Sequence, residues 1–391
     1  MEWALVILTN HQNSLSNFLQ NYYINLMVWV NEKAVEKSIL VGLARDSRQK
    51  DEVESSLDEL AELAKSAGAE VESMNIQIRK PDPKYYVGKG FVEKLKEKIT
   101  ANGNNLVIFD DPLSPAQQRN LENRFDLKVI DRSILILDIF ALHARTSAAK
   151  LQVELAQLEY MLPRLTGAWS HFSRQHGGIG TKGPGETQLE IDRRRVRTKI
   201  AHLKKDIKRL GKQRQTQRKS RQNLFKIALI GYTNAGKSTL FNRLTRSNVE
   251  VANKLFTTLD STTRVMSSGY PDKIVFTDTV GFIKKLPHQL VASFKSTLEE
   301  VTYADLLLHV ADSSDPYCND KISQTRAVLR EINAGDIPTL LIYNKIDKSD
   351  ETEGNNSDCT VFYISALKDL GLDSLRSELS RRLRLNIHKI H

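Results

Sequence analysis

The 391-residue chain reads as an α/β protein, with a parallel α/β domain first, then an antiparallel pair of long helices, then a second, doubly wound α/β sheet. Three observations predict this. Short apolar runs alternate with amphipathic stretches from Ser38 to Arg132 and again after residue 222, the mark of strands joined by helices in parallel sheets. Between these regions, apolar residues recur at spacings of three and four. And the segment GYTNAGKST, residues 231 to 239, fits G-x-x-x-x-G-K-[ST], a loop that joins a strand to a helix.

In order, SILVGLAR (38 to 45) is a strand, DEVESSLDELAELAKSAG a helix closed by Gly68, AEVESMNIQI a second strand and FVEKLKEKITANG a helix. NLVIFDD (105 to 111) is a third strand. SPAQQRNLENRF is a helix with Ser114 as N-cap and Pro115 at its first position, and LKVIDR is a fourth strand. Gly88-Lys89-Gly90 is read as a short turn rather than a phosphate contact at a helix start. Ala148, Leu151, Leu155, Leu158 and Leu162 form one seam, and Val196, Ile200, Leu203, Ile207 and Leu210 another, so two long helices pack as an antiparallel hairpin.

Composition narrows the function. The chain can bury real cores, with 40% hydrophobic content; its two cysteines, Cys318 and Cys359, are isolated and lack metal-ligand spacing, which excludes a zinc framework and points to a reducing compartment. The first thirty residues are apolar in patches, but they lack a basic leader and are interrupted by Asn21 and Asn25, so no signal or membrane anchor is expected. Charge is concentrated. From Arg193 to Arg221 there are fourteen Lys and Arg against the single acid Asp206, a net of +13, so the rest of a chain with overall charge +10 carries −3. Such a stripe attracts a polyphosphate backbone through counterion release, and the plainer reading is a solvated helix face.

Residues 163 to 188, between the seams, hold six of the 19 glycines, together with Arg164, Trp169, His171, Phe172, Arg174, Gln175, His176, Lys182 and Glu186. Cations and aromatic rings on such a backbone suit stacking on unpaired bases and contact with phosphates; equally, the aromatics of a hairpin tip can fold back onto the helices. The candidate RNA contacts are Arg174, Gly177, Gly178, Lys182, Arg193, Arg194, Arg195 and Arg197.

NLFKIALIGYTNAGKSTLFNRL sets an apolar strand before Gly231 and an amphipathic helix after Ser238, the context a phosphate cradle requires. Backbone N–H groups of Gly231, Tyr232, Thr233, Asn234, Ala235, Gly236 and Thr239 surround the phosphates, Lys237 supplies positive charge to the β and γ groups, and the Ser238 hydroxyl ligates Mg²⁺. KIVFTDTVGF then gives Asp278, Thr279, Val280 and Gly281 at the end of a strand: the Asp278 carboxylate holds Mg²⁺ through water and the Gly281 N–H reaches a γ-phosphate. In TLLIYNKIDK, Asn344, Lys345 and Asp347 follow another strand. The Asp347 carboxylate accepts from the N1–H and exocyclic amine of guanine; adenine would leave it unpaired, a mismatch of about 1 to 3 kcal/mol. FYISALKDLG adds Ser365, Ala366 and Leu367, whose backbone meets the guanine oxygen.

Four such elements in this order are shared by the translation-factor-like class of GTPases, and residues 224 to 387 resemble its G domain, a P-loop GTPase fold. LFTTLDSTTR occupies the first switch region; by resemblance Thr258 ligates Mg²⁺, with Thr257, Thr262 and Thr263 as neighbouring candidates. Many such GTPases place a water-orienting glutamine after the glycine of D-x-x-G, whereas this chain has Phe282, which predicts slow intrinsic hydrolysis that rises when a partner completes the site. The catalytic set is therefore Lys237, Thr258, Gly281 and Phe282.

HARTSAAKLQVELAQLEYMLPRLTG and SRQHGGIGTKGPGETQLEIDRRR resemble the signature region of the HflX family of ribosome-associated GTPases, over roughly residues 35 to 387. The resemblance implies an α/β domain at 35–140, a helical hairpin with a glycine-rich tip at 141–222 and a G domain at 223–391. Two features depart from it: residues 1–34 match nothing in the family and form an extension of unknown role, and any C-terminal appendage present in relatives is expected to be absent or minimal here. The resemblance also implies GTP-dependent binding to the large ribosomal subunit, a hairpin tip that approaches the peptidyl-transferase region, and splitting of stalled or idle ribosomes under stress. A cytoplasmic monomer that contacts ribosomal RNA, not DNA, is expected, with peripheral but no inserted membrane association. Two other readings stand beside it: a regulatory GTPase with a protein partner and the basic helix as a solvated lever, and a separate nucleotide site in residues 35–140.

Overall fold

The computed structural model describes residues 36–165, 184–219, 224–245, 262–266, 274–279, 281–285, 300–348 and 361–390. Four strands, β1 (Lys37–Ala44), β2 (Glu70–Ile78), β3 (Leu106–Phe109) and β4 (Lys128–Asp131), form a parallel sheet in the order β2-β1-β3-β4. β1 and β3 are buried along nearly their whole length because helices cover both faces of the sheet. One face packs under helices α1 (Lys50–Ala67), α4 (Arg132–His143) and α5 (Ser147–Met161); the other packs under α2 (Lys89–Asn102) and α3 (Pro115–Phe125).

The local signals act as expected. Gly68 closes α1 in the left-handed conformation at φ 95°, and Ser114 opens α3 with a capping box completed by Gln117. Gly88 is the N-cap of α2, and its N–H donates to Gln77 Oε1 at 2.8 Å, so the Gly88-Lys89-Gly90 turn spends this donor within the protein. The fourth strand is two residues shorter than its sequence suggests, one at each end. Asp131 ends it and caps α4 through Ile134 N–H, so Arg132 enters the helix and is 1% exposed.

The hairpin expectation holds for the described residues. Leu155 and Leu158 of the first seam, joined by Leu165 beyond it, pack against Val196, Ile200 and Leu203 on α6 (Pro184–Lys219), with Leu151, Leu162 and Ile207 at the margins. Glu154, which precedes Leu155, pairs with Lys199, which precedes Ile200; Glu159, which follows Leu158, pairs with Lys204, which follows Leu203, at 2.7 Å. Like flanks of two seams meet only when the helices run in opposite directions. The glycine-rich tip, with Arg174, Gly177, Gly178 and Lys182, and the extension at 1–34 lie outside the described residues.

The second sheet has the order β10-β9-β8-β5-β7-β6, formed by β5 (Phe225–Gly231), β6 (Thr262–Met266), β7 (Ile274–Asp278), β8 (Leu306–Asp312), β9 (Thr339–Asn344) and β10 (Val361–Tyr363). All neighbours are parallel except β6, which runs antiparallel to β7. Helices α7 (Lys237–Thr245) and α9 (Leu372–Ile390) pack on one face and α8 (Cys318–Glu331) on the other. Among the described residues, no helix is long and apolar enough to cross a membrane.

A buried polar cluster joins the two sheets. The Arg132 guanidinium pairs with Asp110 at 3.0 Å and with Glu59 at 3.4 Å, and donates to the carbonyls of Ser56 (2.7 Å) and Lys284 (3.0 Å). Lys285 reaches Asp110 and, at 2.6 Å, Asp111, while Ile283 enters the apolar core around α4 and α5. Burial alone would raise the Asp110 pKa, but Arg132 and Lys285 outweigh it and hold the carboxyl below its usual range. Arg132→Ala would leave a buried carboxylate with half its compensation, so a loss of about 3 to 5 kcal/mol in urea-unfolding stability is expected.

Candidate functional site

The phosphate cradle follows β5. Its shape depends on backbone positions that exclude a side chain: Gly231 has φ 141°, where a Cβ would stand 2.1 Å from Val310 O, and Gly236 has φ 91°, where a Cβ would stand 2.2 Å from Asn344 Nδ2. Asn234 completes the turn at φ 60°, a conformation that asparagine tolerates. Lys237, 6% exposed, starts α7 and donates from Nζ to Tyr232 O at 2.7 Å. Burial depresses its pKa to about 8, with Asp278 opposing the shift.

The Ser238 hydroxyl donates to Asp278 Oδ2 at 2.7 Å. Hydroxyl and carboxylate oxygens set this close, on the helix after the cradle and at the end of β7, form a hard-oxygen donor pair suited to Mg²⁺. The expected juxtaposition of Ser238 with Asp278 is thus present; Thr258 and Val280 lie outside the described residues. Thr262 and Thr263 belong to β6, with Thr263 facing Thr277 across the ladder. Thr279 turns its hydroxyl inward to Leu229 O at 2.6 Å, so its side chain braces the strand below the site.

Gly281 packs against the cradle, where an added Cβ would meet Thr233 Cα at 2.8 Å and Lys237 Nζ at 2.9 Å. Phe282 continues this contact as a backbone bridge: its N–H donates to Gly231 O at 3.1 Å and its carbonyl accepts from Thr233 N–H at 2.9 Å. The ring is buried with Ala228, Ile230, Leu307 and Leu329. The Phe282 side chain is thus a core anchor, and a glutamine there would be an amide buried among hydrocarbon.

The base-reading loops are tied together through Asn344. It donates from Nδ2 to Ala235 O and accepts at Oδ1 from Ala366 N–H, both at 2.9 Å, so it links the cradle to the 365–367 turn, and its Nδ2 keeps a second N–H. Asp347 accepts from Ser365 Oγ at 2.6 Å, and that bond first, then its own backbone N–H and Lys368, holds its pKa below the usual carboxylate range. Its second oxygen lies 3.8 Å from Lys368 Nζ. Lys345 adopts φ 66° and pairs with Asp312 at 2.6 Å. Leu367 is exposed beside the turn, and Arg243 on α7 holds the carbonyls of Ala366 and Leu367.

Sequence reading missed Arg243 and also Glu59. The Glu59 carboxylate, from the first sheet's α1, accepts from the Tyr232 hydroxyl at 3.2 Å and from Lys284 N–H at 3.2 Å. No local pattern marks contacts that span 173 and 225 residues of sequence. Of the basic stripe, Arg194 and Arg197 are exposed, Arg193 is half-buried, and Arg195 is half-buried beside Asp192 at 3.8 Å.

A buried lysine in a glycine cradle, a hydroxyl–carboxylate pair and an ionised aspartate at the base loop define a guanine-nucleotide-binding P-loop protein. The chain matches the family models described as GTP-binding GTPase N-terminal over residues 54–141, GTP-binding GTPase Middle Region over 143–221 and 50S ribosome-binding GTPase over 226–345. It is 49% identical over 314 residues to the GTPase HflX of Flavobacterium psychrophilum (80% of this chain, 76% of the relative), 46% identical over 372 residues to that of Caldanaerobacter subterraneus (93% and 85%) and 47% identical over 337 residues to that of Escherichia coli (84% and 79%). Among solved structures it is similar to the SsGBP complex with GDP, at 26% identity and TM-score 0.49, over 89% of this chain and 98% of that one. The chain belongs to the HflX family of GTPases, and its reaction is hydrolysis of GTP.

The Lys237 environment yields a direct test. With a pKa of about 8, the ammonium is partly deprotonated at pH 8, and nucleotide phosphates favour its charged form. Binding of GDP at pH 8 is therefore expected to take up a fraction of a proton, seen by calorimetry in buffers of different ionisation enthalpy, with uptake fading toward pH 6 and affinity falling as pH rises above 8.

Proposed function

We propose that this GTPase acts on the large ribosomal subunit, where its basic helix and glycine-rich tip contact ribosomal RNA, and that GTP-driven binding splits or rescues stalled or idle ribosomes under stress. The observation that carries this reading is the +13 stretch from Arg193 to Arg221, most of it on α6, with Arg194 and Arg197 exposed. The match to a family described as 50S ribosome-binding GTPases supports it. Residues 35–140, 141–222 and 223–391 divide the labour as α/β domain, RNA-binding hairpin and nucleotide domain, in a cytoplasmic monomer with at most peripheral membrane contact.

At the site, the backbone of residues 231–239 cradles the phosphates and Lys237 neutralises their charge. Ser238 and Asp278, with Thr258 from the first switch, would hold Mg²⁺, which when bound screens phosphate charge and orients the γ-phosphoryl group. Gly281 senses the γ-phosphate by its N–H. Asp347 selects guanine, while Asn344 and Ser365 fix the loops that present it. With Phe282 committed to the core, hydrolysis is slow until the ribosome reshapes the switches.

Two experiments test this reading. GTP hydrolysis should rise at least tenfold with purified large subunits, and a variant lacking residues 166–186 should lose that rise while keeping its basal rate; no stimulation in either would favour a protein-regulated switch. Asp347→Asn should weaken GTP binding by at least tenfold, because an amide places a donor against guanine's donors, and should improve binding of xanthosine triphosphate, which carries an acceptor there.

A further inference from the structure

A cavity of about 400 Å³ lies behind the phosphate cradle, between α1 of the first sheet and β8 and α8 of the second. Its described lining carries five carboxylates, Asp58, Glu59, Glu62, Asp312 and Asp315, against the single ammonium of Lys321. Three of the five are already engaged: Glu59 with Arg132 and Tyr232, Asp312 with Lys345, and Asp315 with Lys321. Asp58 has no ion pair among the described residues, and Glu62, one turn further along α1, has only an exposed pair with Lys65.

The cavity has a polar group that the protein does not satisfy. His309, on β8, lines it at 1% exposure, and its Nδ1 has no hydrogen-bond partner. Burial, with Arg326 and Lys237 nearby, depresses its pKa to about 4, so the imidazole is neutral at physiological pH and can offer Nδ1 as an acceptor. Two tyrosine rings also line the space, and each already holds a cation: Lys321 Nζ lies 4.8 Å from the Tyr232 ring centre and Lys284 Nζ lies 5.4 Å from that of Tyr317.

These features favour a cation of a particular shape. Among the described residues no three histidine, cysteine or carboxylate side chains converge closely enough to hold a metal ion. The acceptors are spread around the cavity instead, with apolar wall from Val310, Ala311, Pro316 and Ile322 between them. We propose that this cavity binds a small aliphatic polyamine, whose ammonium groups reach Asp58, Glu62 and His309 while its methylene chain lies along the apolar wall. A molecule seated there touches α1, the Thr233–Asn234 backbone of the cradle and α8 at once, and so joins the two sheets next to the nucleotide. The inference is independent of the ribosomal reading.

Spermidine is the probe, added to the full-length protein loaded with GDP and Mg²⁺ in 0.15 M KCl, a salt level at which loose surface attraction is screened. Calorimetry should give one saturable site, and Asp58→Asn with Glu62→Gln, both on the exposed side of α1, should weaken it at least tenfold without changing GDP affinity or the melting temperature. In wild type, spermidine should shift the His309 ring ¹⁵N resonances. Binding that does not saturate, that excess Mg²⁺ displaces fully, that survives the double substitution, or that leaves His309 unshifted would each overturn the proposal. If the double variant melts early, the His309 resonance in wild type decides alone.

Discussion

One buried guanidinium holds this molecule in its present form. Arg132 is charged, almost wholly out of water, and surrounded by two carboxylates and two carbonyls from three separate parts of the chain. A charge in that position is tolerable only while all of its partners are in place. The partners come from α1, from the end of β3 and from the segment just after Gly281, so the cost of uncovering Arg132 fixes where that segment runs. The link from sequence to function passes through this constraint. Gly281, packed against the cradle, is three residues from a carbonyl that Arg132 holds.

The nucleotide site follows the same logic on a smaller scale. Its side chains mostly bind one another: Asn344 spans two loops, Ser365 holds Asp347, Ser238 rests on Asp278, and Thr279 braces β5. What remains for a ligand is a surface of backbone N–H groups, one partly desolvated ammonium and one carboxylate kept ionised. Preorganisation of this kind spares the reaction the work of turning dipoles at the moment charge develops. It also explains why the two cradle glycines have no substitute, since each lacks a side chain where another strand's atoms already stand.

How much of this was legible depended on distance along the chain. Period-two and period-3.6 patterns, the Ser114 capping box and the Gly68 stop are local, and the elements they predict are present. The leucine seams were equally plain, because a heptad repeat states its own partner. The nucleotide motifs put Ser238 beside Asp278 and Asp347 beside Ser365. The tie that Asn344 makes between the cradle and the 365–367 turn was not legible, because a motif records which residue type is needed but not which protein groups its atoms already hold. Phe282 was read by what it lacks as a catalyst, when its ring's position in the core decides its role. Glu59, Arg243 and the Arg132 cluster gave no signal, since nothing in a short window reveals a partner tens to hundreds of residues away.

The helix α6 has 36 residues, and at about 1.5 Å per residue it is a rod of roughly 54 Å. A rod this long converts rotation into travel. Tilting it by about 10° at the nucleotide end would sweep the far end through roughly 9 Å, more than the width of a side chain, for a displacement near the pivot too small to break a single strand pairing. A small rotation at one end of such a rod is thus geared to a large excursion at the other, and the stiffness needed for that gearing comes from the apolar seam along its middle third.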